Sequence, residues 1–564
     1  MAKYALRETA PKSVHDSLLE YPEIVRDLLH VRGVSTSSEA QEFLQPSFEK
    51  HSHDPFQLPD MEVAVERILF AIERGEKIAI WSDYDCDGIP GGSMLHDFFK
   101  LIGYNNFVNY IPHRHTEGYG LNAKGLSQLK DEGVSLVITV DSGITDVEPV
   151  AHANAIGLDV IVTDHHLPQE KLPEALAVIN PKRVDNKYLF DGLSGTGVAW
   201  KLAQAVLLRN RFGVPEGKEK WLLDLVGLAT VADMMPLIGE NRMLVHYGLI
   251  VMRKSPRSGL RALLSLARTR QHLVTEDDIG FTIAPRINAA SRMDEPRRAF
   301  ELLTTRDDAE GATLAKHLQH MNDVRKGVVA ATVKEINGRI KKEGVPSGII
   351  VMGNPSWRPG LLGLVANGVV ESHERTTVLW GREGGETIKG SIRSDGSVNV
   401  VELMQEARDL FLDFGGHKQS GGFSVKEEHV HSLRERFADA YEAVKSRGAT
   451  EEEIFVDREL PIEETGKTLP HLERLAPFGI GNQKPLFIIP SVLISKVKSF
   501  GKIGNHLELQ LSGDDMSELS AIAFFKTADD FSTTPTEGLR VNVVGHLERG
   551  TFTRKPQLRI VDVI

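Results

Sequence analysis

A single cysteine, Cys86, stands in 564 residues. That excludes an internal disulfide framework and suits a reducing compartment. No apolar run reaches the roughly 20 residues that a membrane helix needs. The opening MAKYALRETAPKSV has no apolar signal core, so the expectation is a cytoplasmic protein without membrane contact. Basic charge is also short: 66 Lys and Arg against 78 Asp and Glu leave a net charge of −12. That balance argues against a protein that coats nucleic acid through its overall charge, and leaves room for a local basic groove. There is no low-complexity tract and no repeat period. What remains is an ordinary globular composition, 41% hydrophobic and 26% charged. The length predicts three or four domains rather than one core.

One loop dominates the chemistry. Ile78-Ala79-Ile80-Trp81 reads as a buried strand and runs into Ser82-Asp83-Tyr84-Asp85-Cys86-Asp87-Gly88. If strand geometry continued, Asp83, Asp85 and Asp87 would point to one side. Carboxylates so placed repel one another unless cations lie between them. Magnesium and manganese take such oxygen ligands, whereas Cys86 reads as a small inward residue. An Asp-rich loop is often only a solvated turn, and an Asp after a strand often only a cap. Three later stretches argue otherwise. Val137–Val140 runs into Asp141, Val160–Thr163 into Asp164-His165-His166, and the more helix-like Leu225–Ala232 into Asp233. In parallel sheets, ligands sit beyond the carboxyl ends of the strands, so acids far apart in sequence would converge there.

Around this loop, strands and helices alternate from Met61 to about Met252: helix over Val63–Arg74, strand at Lys77–Trp81, helix over Ser93–Ile102, strands at Phe107–Ile111, Leu136–Val140 and Val160–Thr163. That order predicts a mostly parallel sheet covered on both faces. Before it, Tyr21–Leu29 reads as one amphipathic helix. Leu314, Leu318, Met321, Val324, Val328, Val333, Ile336 and Ile340 recur at helical spacing, which predicts a long helix, either core or spacer. A second α/β unit starts at Gly348, with strands Ile349–Met352 and Thr377–Trp380, helix Gly360–Ser372, a Gly-rich Phe414–Val425 and a helix near Val430–Val444. From Glu453 short β-rich runs follow: Phe487–Ile489, Val492–Ile494, His506–Leu511, Ala521–Phe525 and Val541–Val544. A small Greek-key barrel fits them.

DYDCDG, DSG, VTDHH and TVADMMPL, in that order, resemble the four motifs of the DHH phosphoesterase superfamily. Within it the chain is similar to the RecJ family of single-strand-specific DNA exonucleases. HTEGYGL, Gly195–Ala199, Pro285–Ala290 and Phe414–His417 fit the same family, from about residue 20 to the C-terminus. The resemblance implies an α/β architecture: a helical lead-in (1–50), a parallel-sheet DHH catalytic domain (51–305), a connecting helix as spacer (306–345), a second α/β domain of the DHH-associated type (346–447) and an OB-like barrel (453–564). It implies two manganese or magnesium ions held by Asp83, Asp85, Asp87, Asp141, His165 and Asp233, with Asp141 or Asp233 bridging. Asp164 would orient a histidine, and His166 would face the substrate or donate a proton.

Substrate phosphates call for cations and backbone donors. Arg114, Arg286, Arg292 and Arg393 match family arginines, with Asn288 and Ser391 in the same motifs; Gly416 and His417 offer backbone donors and an imidazole. For any one arginine, a solvated surface charge is the commoner role. Tyr119 could stack on a base or sit in the core. Two positions depart from the family: Ser82 stands where relatives often carry Gly, and Trp357-Arg358-Pro359-Gly360 where they commonly read W-H-Q-G. The resemblance further implies 5′-to-3′ hydrolysis to mononucleotides in DNA repair and recombination. Its implied partners are single-stranded DNA, a single-strand binding protein and a RecQ-type helicase, met by a monomer. The rival readings are a phosphodiesterase for short oligonucleotides or cyclic dinucleotides, and a non-catalytic replication scaffold. The first is generally shorter and lacks the β domain; the second would be expected to have lost ligand acids.

Overall fold

A computed structural model describes residues 4–346, 348–382, 387–447, 453–501, 504–550 and 553–564. The first unit is built on a five-stranded, fully parallel sheet. Its strands run in the order Phe107–Tyr110, Lys77–Ser82, Val134–Val140, Asp159–Thr163, Ala177–Ile179. Alternation along each strand feeds two cores. Ile78, Ile80, Leu136 and Ile138 join helices Met61–Arg74, Gly88–Leu101 and Gly195–Arg209 on one face. Ala79, Trp81, Val137 and Val160 join helices Ala123–Asp131 and Val147–Ala155 on the other. Such two-sided burial is why these runs are continuously apolar.

The helix after the Asp-rich loop begins at Gly88 rather than Ser93, because the chain turns at once instead of extending. An added Cβ on Gly88 would stand 2.5 Å from the carbonyl oxygen of Asp83. Only glycine allows that turn.

The long helix is Asp308–Glu343, 36 residues and so about 54 Å. Core and spacer both describe it. Leu314, Ala315 and Leu318 join the first core; Ile336 and Ile340 join the core of the second unit; Val324 between them is exposed.

The second unit carries a five-stranded sheet in the order Phe411–His417, Ser420–Val425, Ile388–Arg393, Thr377–Gly381, Ile350–Gly353. Only the last two strands pair in parallel. The Gly-rich segment is a hairpin at the sheet edge, with Gly415 and Gly416 facing Gly422 and Gly421.

In the C-terminal unit, what reads in sequence as two short strands is one long strand, Phe487–Phe500. It is broken by a bulge between Ile489 and Val492, which bends it so that it pairs with both His506–Ser512 and Arg540–Arg549 and closes the barrel. The strand Pro556–Val563 and the helix Thr465–Glu473 are not among the elements expected from the sequence. The lead-in is more broken than expected: Pro22 starts a helix at Glu23–Val31, flanked by Lys12–Ser17 and Ser37–Leu44. Its Val25, Leu28 and Leu29 share a core with Leu469, Leu472 and the barrel, at the other end of the chain. Tyr4–Leu6 also pairs with Ile454–Val456. Among the described residues, no helix is long and apolar enough to cross a membrane.

Candidate active site

The strand ends bring the motifs together. Asp83 follows Lys77–Ser82, Asp141 follows Val134–Val140, His165 lies two residues past Asp159–Thr163, and Asp233 caps the helix Leu223–Ala232. His165 Nε2 lies 3.2 Å from Asp141 Oδ1, 3.5 Å from Asp233 Oδ2 and 3.7 Å from Asp87 Oδ2. Among the described residues, three groups have metal-ligand spacing: Asp83, Asp85 and Asp141; Asp87, His165 and Asp233; and Asp141, His165 and His166. The first two groups share no member, and Asp141 connects the first to the third.

The Asp-rich loop does not stay extended. Asp85 turns back, and its Oδ1 accepts from the amides of Asp87 and Gly88. Asp87 precedes the helix Gly88–Leu101, and its carboxylate accepts from the amides of Gly195 and Thr196 at 2.6 and 2.8 Å. Those amides open the helix Gly195–Arg209, so its N-terminal end stabilises the carboxylate. An added Cβ on Gly195 would stand 2.5 Å from that of Asp141. The Gly195–Ala199 motif is thus the floor of the acidic cluster. Ser82, the departure from the family, packs its hydroxyl against Gly92, which gives it room.

This floor leaves charge uncompensated. Burial, then mutual repulsion, raises Asp87 to about 6 and Asp233 to about 8, and raises Asp83 and Asp141 as well. Burial, then the neighbouring His166, lowers His165 to about 3, so its imidazole is neutral, the form that binds metal. Asp83 Oδ1, Asp141 Oδ1 and His165 Nδ1 are buried with no hydrogen-bond partner. Unpartnered buried oxygens in an oxygen-rich, imidazole-containing set fit hard divalent ions.

Asp164 is fully buried. It accepts from the amides of Ile144, His165 and His166 and from His166 Nδ1 at 2.8 Å. Burial alone would lower His166; the hydrogen bond and charge of Asp164 outweigh it and raise His166 to about 9. Tyr119 is tied down too: its hydroxyl donates to the Asp141 carbonyl, and its ring stands edge-on to His166 at 5.8 Å.

A cationic group faces this cluster from both α/β units. Arg292 donates to the Gly360 carbonyl at 2.6 Å. Burial, then repulsion by Arg114, Arg325 and Arg393, lowers it to about 10, against the pull of Asp85. Arg114 lies over the Tyr84 ring. Arg393 donates to Ser391 Oγ and to the Ile392 carbonyl, with Nη2 packed on Gly363. Two expected substrate residues have partners within the protein. Arg286 donates to Gln319 on the long helix and to the Thr282 carbonyl, while Asn288 Oδ1 accepts from the Cys86 amide and so braces the acidic loop. His417 pairs with Ser420, which pairs with Arg393. That places His417 two strands from Arg393, roughly 10 Å away. Arg358 reaches Met293 Sδ at 4.0 Å. Sequence reasoning does not reach Arg325, Gly195 and Thr196 as individual site residues; only the Gly195–Ala199 motif carries a signal.

Family profiles match three stretches: the DHH family N-terminal domain at residues 77–230, the DHHA1 domain at 346–443 and the RecJ OB domain at 456–562. The single-stranded-DNA-specific exonuclease RecJ of Bacillus subtilis (strain 168) is 34% identical over 560 residues, which cover 98% of this chain and 69% of that protein. Its namesake in Escherichia coli (strain K12) is 32% identical over 86% of both chains. The crystal structure of RecJ from Thermus thermophilus in complex with Mn2+ superposes with a TM-score of 0.81 at 28% identity, covering 100% of this chain and 79% of that one. The Mg2+ complex from the same organism superposes at 0.74 and 26% identity, covering 100% and 78%.

Proposed function

The chain belongs to the RecJ family of DHH phosphoesterases, and on that premise we propose that it is a metal-dependent exonuclease that degrades single-stranded DNA. One observation carries the reading: two separate groups of three ligands, two members of each buried, stand beside a cluster of arginines drawn from both α/β units. Asp83, Asp85 and Asp141 would hold one ion, and Asp87, His165 and Asp233 the other. Asp141 would suit a shared ligand better than Asp233, since it has ligand spacing both with Asp83 and Asp85 and with His165, whereas Asp233 has it only with Asp87 and His165. Paired Mn2+ or Mg2+ ions supply Lewis acidity for activating water and neutralising the phosphate.

The chain's own residues do the rest. The Asp164 carboxylate fixes His166 through Nδ1, which leaves Nε2, on a half-exposed ring, to donate towards the substrate. Arg114, Arg292 and Arg393 bind phosphate and place the terminal nucleotide, assisted by Ser391, Gly416 and His417. Asn288 keeps the acidic loop in register, and Arg286 secures the helix junction. On the barrel, Phe500, His506 and Phe524 form a cross-strand row with Phe525 beside it and Arg559 over the Phe524 ring at 4.4 Å. Such a row suits base stacking.

The further reading is 5′-to-3′ release of mononucleotides in repair and recombination, by a cytoplasmic monomer working beside a single-strand binding protein and a RecQ-type helicase. End-labelled single strand, duplex and dinucleotide, each incubated with Mn2+, test the core of it. Single strand should be shortened stepwise from its 5′ end, duplex spared, and activity lost on chelation. Preferential dinucleotide cleavage, or activity surviving exhaustive chelation, would overturn it.

A further inference from the structure

The Asp233 carboxylate sits at the start of an irregular segment, Met234–Ile238, in which Met234 takes a left-handed conformation at φ 57°. Asn241 holds the inner side by donating to the Pro236 carbonyl. The outer side rests on a segment from the far end of the chain. The Leu237 amide donates to the Ile480 carbonyl at 2.7 Å. An added Cβ on Gly479 would stand 2.8 Å from Leu237 Cδ1, and one on Gly481 3.2 Å from Ile238 Cγ2.

This far segment is itself clamped. Gly479 and Asn482 exchange backbone hydrogen bonds across a tight turn. Asn482 is fully buried, donates to the carbonyls of Leu475 and Pro477, and accepts from Arg32 of the lead-in. Arg242, on the helix that follows Ile238, donates to the carbonyls of Ala476, Pro477 and Phe43. The Phe478 amide donates to buried Glu276. Lead-in, catalytic unit and barrel thus meet behind Asp233.

We propose that the turn at Gly479–Gly481, at the root of the C-terminal barrel, is a positioning element for the metal centre: it fixes Leu237 and through it the place of Asp233. The proposal rests on the ligand role given to Asp233 above. The barrel is then part of the catalytic machinery as well as a DNA-binding module, and removing residues 453–564 would not release an intact catalytic unit.

The test is Mn2+ titration of the full chain without DNA, read by the resonance of free Mn2+, for wild type, Asp233→Ala, Gly479→Ala, the Leu237→Ala/Gly479→Ala double variant, and Gly466→Ala, where the added methyl meets open space. Gly479→Ala should weaken Mn2+ binding roughly tenfold, the usual scale for a group that orients a ligand. It should lower kcat while the KM for DNA holds. The double variant should recover part of the affinity, and Gly466→Ala should match wild type. Wild-type affinity in Gly479→Ala beside a loss in Asp233→Ala would overturn the positioning role alone; wild-type affinity in Asp233→Ala would overturn the ligand role beneath it. Amide exchange of the unmodified protein gives a reading that needs no variant to fold. The Leu237 amide should be protected like the barrel strands, and exchange as fast as an open loop would refute the contact.

Discussion

At the residue scale, the acids of the cluster differ in how much structure depends on them. Asp87 accepts two amides of the helix Gly195–Arg209, so Asp87→Asn disturbs the floor of the site as well as its charge. Asp233 is partly open and accepts no hydrogen bond among those found for the described residues, which makes it the cleaner probe. Asp233→Ala should abolish hydrolysis and leave the unfolding temperature unchanged or raised, because it removes a carboxylate that burial and repulsion already disfavour. Cleavage near the wild-type rate in a folded variant would sink its ligand role. Strand runs ending in Asp or His make Asp83, Asp141 and His165 legible, since each lies at or just past a predictable strand end, while Asp233 stands at the end of a helix. Asn288 reads by type as a phosphate contact; nothing local indicates that its oxygen meets the Cys86 amide, 202 residues away.

At the element scale, apolar periodicity locates the helices and strands well, and misplaces their ends where a proline or a bulge decides the geometry, as at Pro22 and at Pro490-Ser491. The long helix has a physical consequence. It joins the two units through opposite ends, with its middle exposed. Ala330→Pro would break a backbone hydrogen bond there at a cost of about 3 kcal/mol. It should leave Mn2+ binding intact yet reduce cleavage at low DNA concentration, because Arg393 of the second unit would lose its alignment with the acids. Unaltered cleavage with a demonstrably kinked helix would deny that the spacing matters. The barrel offers a pH test remote from the metals. His546 Nδ1 donates to the Pro485 carbonyl; burial lowers its pKa and Lys484 adds to that, outweighing the hydrogen bond to Pro485 and the charges of Glu548 and Asp457, which raise it. The folded barrel holds the ring neutral, whereas the unfolded chain takes up a proton below about 6.5. The unfolded state therefore binds more protons, and stability should fall as pH drops below that value. Amide exchange in Arg540–Arg549 should quicken as pH falls from above that value to below it, once corrected for intrinsic rates. His546→Gln should flatten the trend; an equal acceleration in that variant would rule His546 out.

At the scale of the whole molecule, what the sequence hides is contact between distant parts. The lead-in packs on the barrel, and the Gly479 turn packs behind Asp233, because each surface is ordinary until its partner arrives. The opposition of acids and arginines is partly visible, since KGSIRS lies in the second unit and the acids in the first. With a net charge of −12, the protein must bind DNA phosphates through a local cationic surface, and Arg393 is the member of that surface supplied by the second sheet. It is half-buried beside Gly363 and Ser391 and makes no ion pair among those found for the described residues, so its charge is free for a phosphate. Arg393→Ala should bind Mn2+ normally without DNA, cleave poorly at low DNA concentration and partly recover at high concentration. Removing one phosphate contact should flatten the log–log dependence of DNA affinity on salt by roughly 0.7 for a single strand. Two titrations decide it, metal without DNA and DNA across several salt concentrations. Unchanged affinity and slope would leave Arg393 as a brace for Ser391 on its own strand, and lost metal binding would assign it to the acidic cluster instead. A flattened slope with intact metal binding places the phosphate between the two units.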